Sequence, residues 1–329
     1  MKAKKTKTAL KAANEPYNPG TDFNPDWISE IKINQSGVER RAGTLKNRRS
    51  LKKEWQAAWL LKAISCIDLT SLSGEDTPGR IKRLCAKAAS PVRNDIIEDL
   101  GVSSLKLTTG AVCVYHVMVE TAVEALKGTG IPVAAVSTGF PACMAPLETR
   151  LREIELSIAA GAEEIDIVIS RRNVLCEDWP ALYEEIQAYR SACGDAHMKT
   201  IISTGELATL NNVAKASMVC MMAGADFIKT STGMESSNAN LQVSLVMMRA
   251  IRRYNELTAY RVGFKPAGGI STAKDAIQYL VMIKEELGDS WLNPEMFRFG
   301  ASSLLGDIER QLEHHLTSCY SASHRHALV

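Results

Sequence analysis

Two lysines stand at the ends of apolar runs that read as strands. Lys229 lies in "GADFIKTSTG" (224–233) and Lys265 in "GFKPAGG" (263–269). Lysine is among the residues least often buried unless it is paired. A third charged residue, Asp166, interrupts the apolar run "EEIDIVIS" (163–170). A lysine amine is a poor nucleophile while protonated, and its unperturbed pKa is near ~10.4. Desolvation, or a second ammonium close by, disfavours the charged form and frees the amine. A freed amine attacks a carbonyl and forms a Schiff base. The iminium then acts as an electron sink, so a neighbouring C–C bond can break or form. Asp166 would move protons, directly or through a water. The competing reading is a structural salt bridge in which Asp166 holds one lysine. For a single lysine that reading is the better one; for two strand-end lysines and an inward aspartate it is the weaker.

The elements that must bring these residues together recur along the chain. Short strand-like runs occur at 63–72, 109–115, 132–141 and 163–170, then at 199–206, 226–233, 263–270 and 297–303. Amphipathic, helix-length segments separate them, and several end in Gly, a common helix stop. Strands alternating with helices argue for parallel βα units. Eight such units predict a closed (β/α)8 TIM barrel over 63–318. A doubly wound sheet would carry GxGxxG after its first strand, and the text there is "IDLTSLSGEDT". In a barrel the chemistry gathers at the C-terminal strand ends. Asp68, Asp166, Lys229 and Lys265 fall at or near those ends. Glycines and hydroxyls crowd the same places: Thr232, Gly233, Gly268, Gly269, Gly300, Ser302 and Ser303. The loops after the seventh and eighth strands suit an anion held by backbone N–H groups. Ordinary tight turns and N-caps would use the same residue types.

The flanks read differently. Residues 1–24 are polar and Lys-rich and predict a disordered arm followed by turns. Residues 25–62 predict a helical extension packed on the barrel, with Trp55, Trp59 and Leu60 on one stripe. Residues 319–329 read as a C-terminal tail. A net charge of +2 gives no reason to expect nucleic acid or an anionic membrane as partner. No apolar run approaches the ~18 residues of a membrane span, and no secretory signal is visible at the N-terminus. The eight cysteines are scattered without a CxxC pair, and no HExxH occurs. That pattern predicts a reducing cytoplasm, no disulfide framework, no metal and no cofactor. Homo-oligomerisation stays open, because pattern alone does not separate surface apolar positions from core ones.

The motifs "KKEWQAAWLLKA", "IDLTSLSGEDT", "AVCVY", "EEIDIVI", "TGEL", "MAGADFIKTSTG", "GFKPAGGI" and "FRFGASSLL" resemble deoxyribose-phosphate aldolases of the longer, eukaryote-type branch. The resemblance runs from about Trp27 to about Tyr320. It implies a metal-independent class I aldolase on a (β/α)8 barrel. Such an enzyme reversibly cleaves 2-deoxy-D-ribose 5-phosphate to D-glyceraldehyde 3-phosphate and acetaldehyde. It also implies roles: Lys229 as the Schiff-base lysine, Lys265 as the lysine that lowers its pKa, and Asp166 as the proton-transfer group. Asp68 is similar to an aspartate that contacts a substrate hydroxyl. Gly268, Gly269, Gly300, Ser302 and Ser303 match the phosphate loops.

The chain departs from the family pattern at several points. Met234 follows "TSTG" where the family has Lys, and Ser271 follows "GGI" where it has Arg. Ser170 stands for Asn and is followed by Arg171 and Arg172, and His116 stands for Pro. Only Tyr320 could serve as a C-terminal tyrosine for proton transfer. Losing two cations predicts retained aldolase chemistry with a weakened phosphate preference, unless Arg171 or Arg172 compensates. Three alternatives remain at this point. One is an aldolase of the same mechanism acting on non-phosphorylated deoxyaldoses or other aldehydes. Another is a barrel kept as a binding or scaffold protein. The last is a metal-dependent enzyme on the same fold.

Overall fold

The computed structural model describes residues 18–48 and 51–327. Eight parallel strands make the interior: β1 Ile67–Thr70, β2 Ala111–Tyr115, β3 Val133–Ser137, β4 Glu164–Val168, β5 His197–Ile201, β6 Phe227–Lys229, β7 Gly263–Lys265 and β8 Phe299–Ala301. Each lies within its predicted run except β5, which begins two residues earlier. The helices are α1 Pro25–Ser29, α2 Gln35–Arg48, α3 Lys53–Ser65, α4 Pro78–Ala89, α5 Asn94–Asp99, α6 Val119–Ala125 and α7 Leu147–Ala159. They continue as α8 Arg171–Leu175, α9 Trp179–Cys193, α10 Leu210–Met222, α11 Leu241–Thr258, α12 Ala273–Glu286 and α13 Ser303–Thr317.

Hydrogen-bonded neighbours run in the order β7-β6-β5-β4-β3-β2-β1-β8. Two bridges, Phe264 with Phe297 and Ala267 with Gly300, join β7 to β8 and close the ring. This is a (β/α)8 barrel. Its logic is the two-residue period of a strand. On β4, Ile165 and Ile167 face outward into the main core beneath the helices, while Val168 packs in a small cluster with Ile201. Ile67 and Leu69 of β1, and Val112 and Val114 of β2, do the same outward work. Each such side chain contributes about 1.5–3 kcal/mol when taken out of water. The alternate positions point to the barrel axis, and several of those carry charge.

Within residues 25–62 one helix packs on the outer layer of the barrel, and the expected stripe on it needs a correction. Helix α3 buries Ala57, Leu60, Leu61 and Ile64 against α12 and α13. Trp59 is half-buried at the edge of that face, but Trp55 is 71% exposed. The buried stripe starts at position 57 and runs at i+3, i+4 and i+7, which leaves Trp55 on the solvent side.

The predicted arm also needs revision. Residues 1–17 lie outside the described residues, but 18–24 are laid against the barrel. The Asn18 N–H donates to Asp226 Oδ1 (2.8 Å), and its Nδ2 donates to Met221 O (2.8 Å) and Ala225 O (2.9 Å). Asn24 caps α1. At the other end the tail folds back on α13, where His326 lies 3.2 Å from Glu309 and 3.0 Å from Glu313. None of the described helices is long and apolar enough to cross a membrane.

Candidate active site

The inward positions of five strands, with Arg298 just before β8, build one ionic cluster. Asp166 Oδ2 accepts from Lys229 Nζ (2.8 Å) and from Lys265 Nζ (2.7 Å). Lys265 also pairs with Asp68 Oδ2 at 2.5 Å. Beneath them Lys199 pairs with Glu164, and with Asp166 Oδ1 at 3.3 Å. Arg298 bridges Asp68 Oδ1 (2.6 Å) and Glu164 Oε1 (3.0 Å). All seven side chains are buried. A buried charge is costly unless paired, and here every carboxylate meets at least two cations.

Registration explains why these residues meet. Asp166 lies opposite Lys199 across the β4–β5 ladder, and Lys229 lies opposite Lys265 across β6–β7. Asp68 lies opposite Gly300 across β1–β8. Gly300 is required there: a Cβ would stand 2.7 Å from Ala267 Cβ and 3.3 Å from Lys265 Cε. Its missing side chain leaves room for the Lys265 stem beside it.

The environment sets the charge states. Burial by itself would raise the Asp166 carboxyl, but Lys229, Lys265 and Lys199 outweigh it and hold it well below the usual carboxylate range. Asp68 follows the same balance, burial opposed by Lys265, Arg298 and Lys199. So does Glu164, with Arg298 and Lys199. Burial favours a neutral Lys265, yet Asp166 and Asp68 override it and keep its ammonium protonated beyond the ordinary lysine range. The cluster therefore holds three carboxylates against Lys199, Lys229, Lys265 and Arg298. One amine can lose a proton and leave the set balanced.

Above the cluster opens a pocket of about 450 Å3 at the C-terminal ends of the strands. Lys229 is the member of the cluster that lines it. Thr232, Gly233, Met234, Gly268, Gly300 and Ser302 line it too, together with Ser71, Ser73 and Arg80. Gly268 holds φ at +78°, and a Cβ there would meet the Asn238 side chain at 2.7 Å. Ser302 stands at the N-terminus of α13 with no side-chain cap bond. Gly269 and Ser303 adjoin these positions in the chain but do not line the pocket. Asp68, Asp166 and Lys265 sit beneath Lys229 rather than on the wall.

The candidates Arg171, Arg172 and Tyr320 lie elsewhere. Arg171 pairs with Glu206 at 2.5 Å and donates to Pro141 O at 3.1 Å, outside the pocket lining. Arg172 is exposed. Tyr320 is 86% exposed beyond the far end of α13, its ring 4.6 Å from that of His314. Among the described residues no group of three His, Cys, Asp or Glu side chains is arranged to hold a metal ion.

Residues 62–308 match the family model of the DeoC/LacD family aldolases. The chain belongs to that family. The deoxyribose-phosphate aldolase of Bos taurus is 57% identical over 310 residues, covering 94% of this chain and 98% of its own. That of Homo sapiens is 56% identical over 310 residues, with the same shares covered. A solved structure of the deoxyribose phosphate aldolase from Aeropyrum pernix gives a TM-score of 0.58 at 21% identity, over 80% of this chain and 98% of its own; it bears on the fold alone. The protein is thus a DeoC-type aldolase, a lyase on a TIM barrel.

Sequence reasoning missed three members of this aldolase's cluster: Glu164, Lys199 and Arg298. Two stood at a period-two spacing from a recognised residue, Glu164 two before Asp166 and Arg298 two before Gly300, whereas Lys199 had no such neighbour. It also missed Glu235. That carboxylate accepts from Thr232 N (2.8 Å) and Gly205 N (3.2 Å) and stitches the loop after β6 to the loop after β5.

Proposed function

We propose that this aldolase reversibly cleaves 2-deoxy-D-ribose 5-phosphate to D-glyceraldehyde 3-phosphate and acetaldehyde, with Lys229 as its Schiff-base residue. The observation that carries the assignment is positional. Lys229 is the member of the cluster that reaches the pocket, and it shares Asp166 Oδ2 with a second, protonated lysine. The neutral Lys229 amine adds to the substrate aldehyde and loses water to give the iminium. The iminium draws the electron pair of the C2–C3 bond as the C3 hydroxyl gives up its proton. Asp166, ionised throughout the neutral range, accepts that proton directly or through a water. Glyceraldehyde 3-phosphate leaves. The enamine takes a proton at C2, and hydrolysis releases acetaldehyde and restores the amine. Lys265 keeps its ammonium beside these groups, and Asp68 holds Lys265 from below.

The backbone around Gly233, Gly268 and Gly300 and the N-terminus of α13 would receive the phosphate. Amides in such loops point donors at an anion, and a helix N-terminus favours negative charge. Borohydride added with acetaldehyde is expected to trap an adduct on Lys229, located by peptide mapping. Lys229→Met should lose both the trap and turnover. A trapped peptide without Lys229 would overturn the assignment.

A further inference from the structure

A phosphate ester carries roughly −1.5 to −2 charges at neutral pH, and backbone amides answer it with partial charges only. Two charged residues line the pocket: Lys229 and Arg80. Lys229 is bound to Asp166 and does the chemistry. Met234 and Ser271 bring no charge to the phosphate loops. We propose that Arg80 is the side chain that recognises the substrate's phosphate, releasing Glu75 when it does so. This rests on the function proposed above and adds the residue that sets its substrate preference.

The local structure is built for that exchange. Arg80 is the third residue of α4, where its N–H is held by Thr77 Oγ1 at 3.3 Å. Its Nε lies 3.4 Å from Asp76 Oδ1. Asp76 is itself buried and fixed, accepting from Ser71 Oγ (2.8 Å) and Ser73 N (3.2 Å). The stem of the guanidinium is therefore anchored to the loop that follows β1. The outer edge is not. Nη1 donates to Glu75 at 2.9 Å, and the Glu75 side chain is 78% exposed. An ion pair so open to water is weak and readily exchanged. Among the described residues Nη2 donates no hydrogen bond. A planar fork with one edge pinned and the other held by a solvent-exposed carboxylate suits a phosphate, which takes two parallel N–H donors. Glu75 thus stands in for the phosphate while the pocket is empty. On this account the loss of cations at 234 and 271 does not weaken phosphate preference, because the charge enters from α4 instead.

The test compares kcat/KM on 2-deoxyribose 5-phosphate and on 2-deoxyribose for the wild type, Arg80→Gln and Arg80→Lys. Borohydride trapping with acetaldehyde, which has no phosphate, runs alongside. Arg80→Gln is expected to lower the ratio of the two kcat/KM values about 10- to 100-fold, as loss of a charge-assisted bond does. The change should fall mainly on KM for the phosphate ester, and Arg80→Lys should restore part of it. The trap should still label Lys229 in every variant. A ratio left at the wild-type value in Arg80→Gln overturns the proposal while the trap keeps the aldolase reading intact. Equal loss on both substrates also overturns it, by assigning Arg80 to loop structure. A wild type that neither traps nor turns over removes the functional reading itself.

Discussion

Lys199→Met is the most informative change to the cluster, because it nearly keeps the length of a fully buried side chain while removing its ammonium. The ammonium of Lys199 meets Glu164, Asp166 Oδ1 at 3.3 Å and Asp68 Oδ2 at 3.8 Å. Removing one partner of a buried ion pair ordinarily costs ~3–5 kcal/mol, because it leaves a charge uncompensated. Here no carboxylate is stranded. Glu164 keeps Arg298 at 3.0 Å, Asp68 keeps Arg298 and Lys265, and Asp166 keeps Lys229 and Lys265. The expected loss is therefore at the low end, about 3 kcal/mol, read as a fall in urea midpoint with unchanged slope. Adding Glu164→Gln should cost little more, since that carboxylate has already lost one of its two cations and Arg298 keeps Asp68. Activity should respond as well. Lys199 is one of three cations that hold the Asp166 carboxyl low. Without it that carboxyl rises toward the ordinary range, so the acid limb of kcat/KM moves to higher pH. A Lys199→Met protein as stable as wild type, or an acid limb that does not move, would show that the cluster is not coupled in this way.

The buried thiols set an alkaline limit on stability. Burial pushes Cys66 up to about 11 and Cys193 and Cys220 to about 12, whereas in an unfolded chain such thiols ionise near ~8.5. Folded values above unfolded ones give a contribution that is complete below ~8.5 and is lost as pH rises from there toward the folded values, at about 1.4 kcal/mol per pH unit for each thiol. Urea midpoints measured from pH 7 to 10 should fall above pH ~8.5, and a level curve would contradict the assignment. Gly300→Ala puts a methyl into the gap that Lys265 uses, with contacts of 2.7 and 3.3 Å. Overpacking of that kind costs about 1–3 kcal/mol. Tm and kcat should fall together, and wild-type values for both would mean that β8 yields more readily than its contacts imply.

The strands and the trio Asp166, Lys229 and Lys265 were legible for the same reason. An apolar run marks a buried strand, and a lone Asp or Lys within it has to be paired or working. The rest of the cluster was hidden by depth. Lys199 opens the run "KTIISTGE" and Arg298 stands second in "FRFGASS", so both read as residues at the entrance of a strand. Barrel strands tilt and stagger, which brings Lys199 level with Asp166, the middle residue of β4. Sequence shows which residues alternate inward but not which of them share a layer. Arg80 was hidden differently. It sits on an amphipathic helix among other basic residues, and only the fold turns that one toward the pocket. Trp55 erred the other way, since an aromatic residue at helical spacing invites burial that the offset of the stripe denies it.

Arg298 has a further consequence for how the protein is made. It stands 230 residues beyond the Asp68 that it neutralises. At ~5–20 residues per second a ribosome needs roughly 10–50 s to deliver it after Asp68 has emerged. The next residue, Phe299, starts the strand that pairs with β1 and completes the ring. The last cation and the last stave of the barrel therefore arrive together. Until then Glu164 has Lys199 as its one partner in the cluster and Asp68 has Lys265 and Lys199, so both carboxylates wait for the guanidinium that bridges them. The cluster reaches its full set of charges only when the final strand docks.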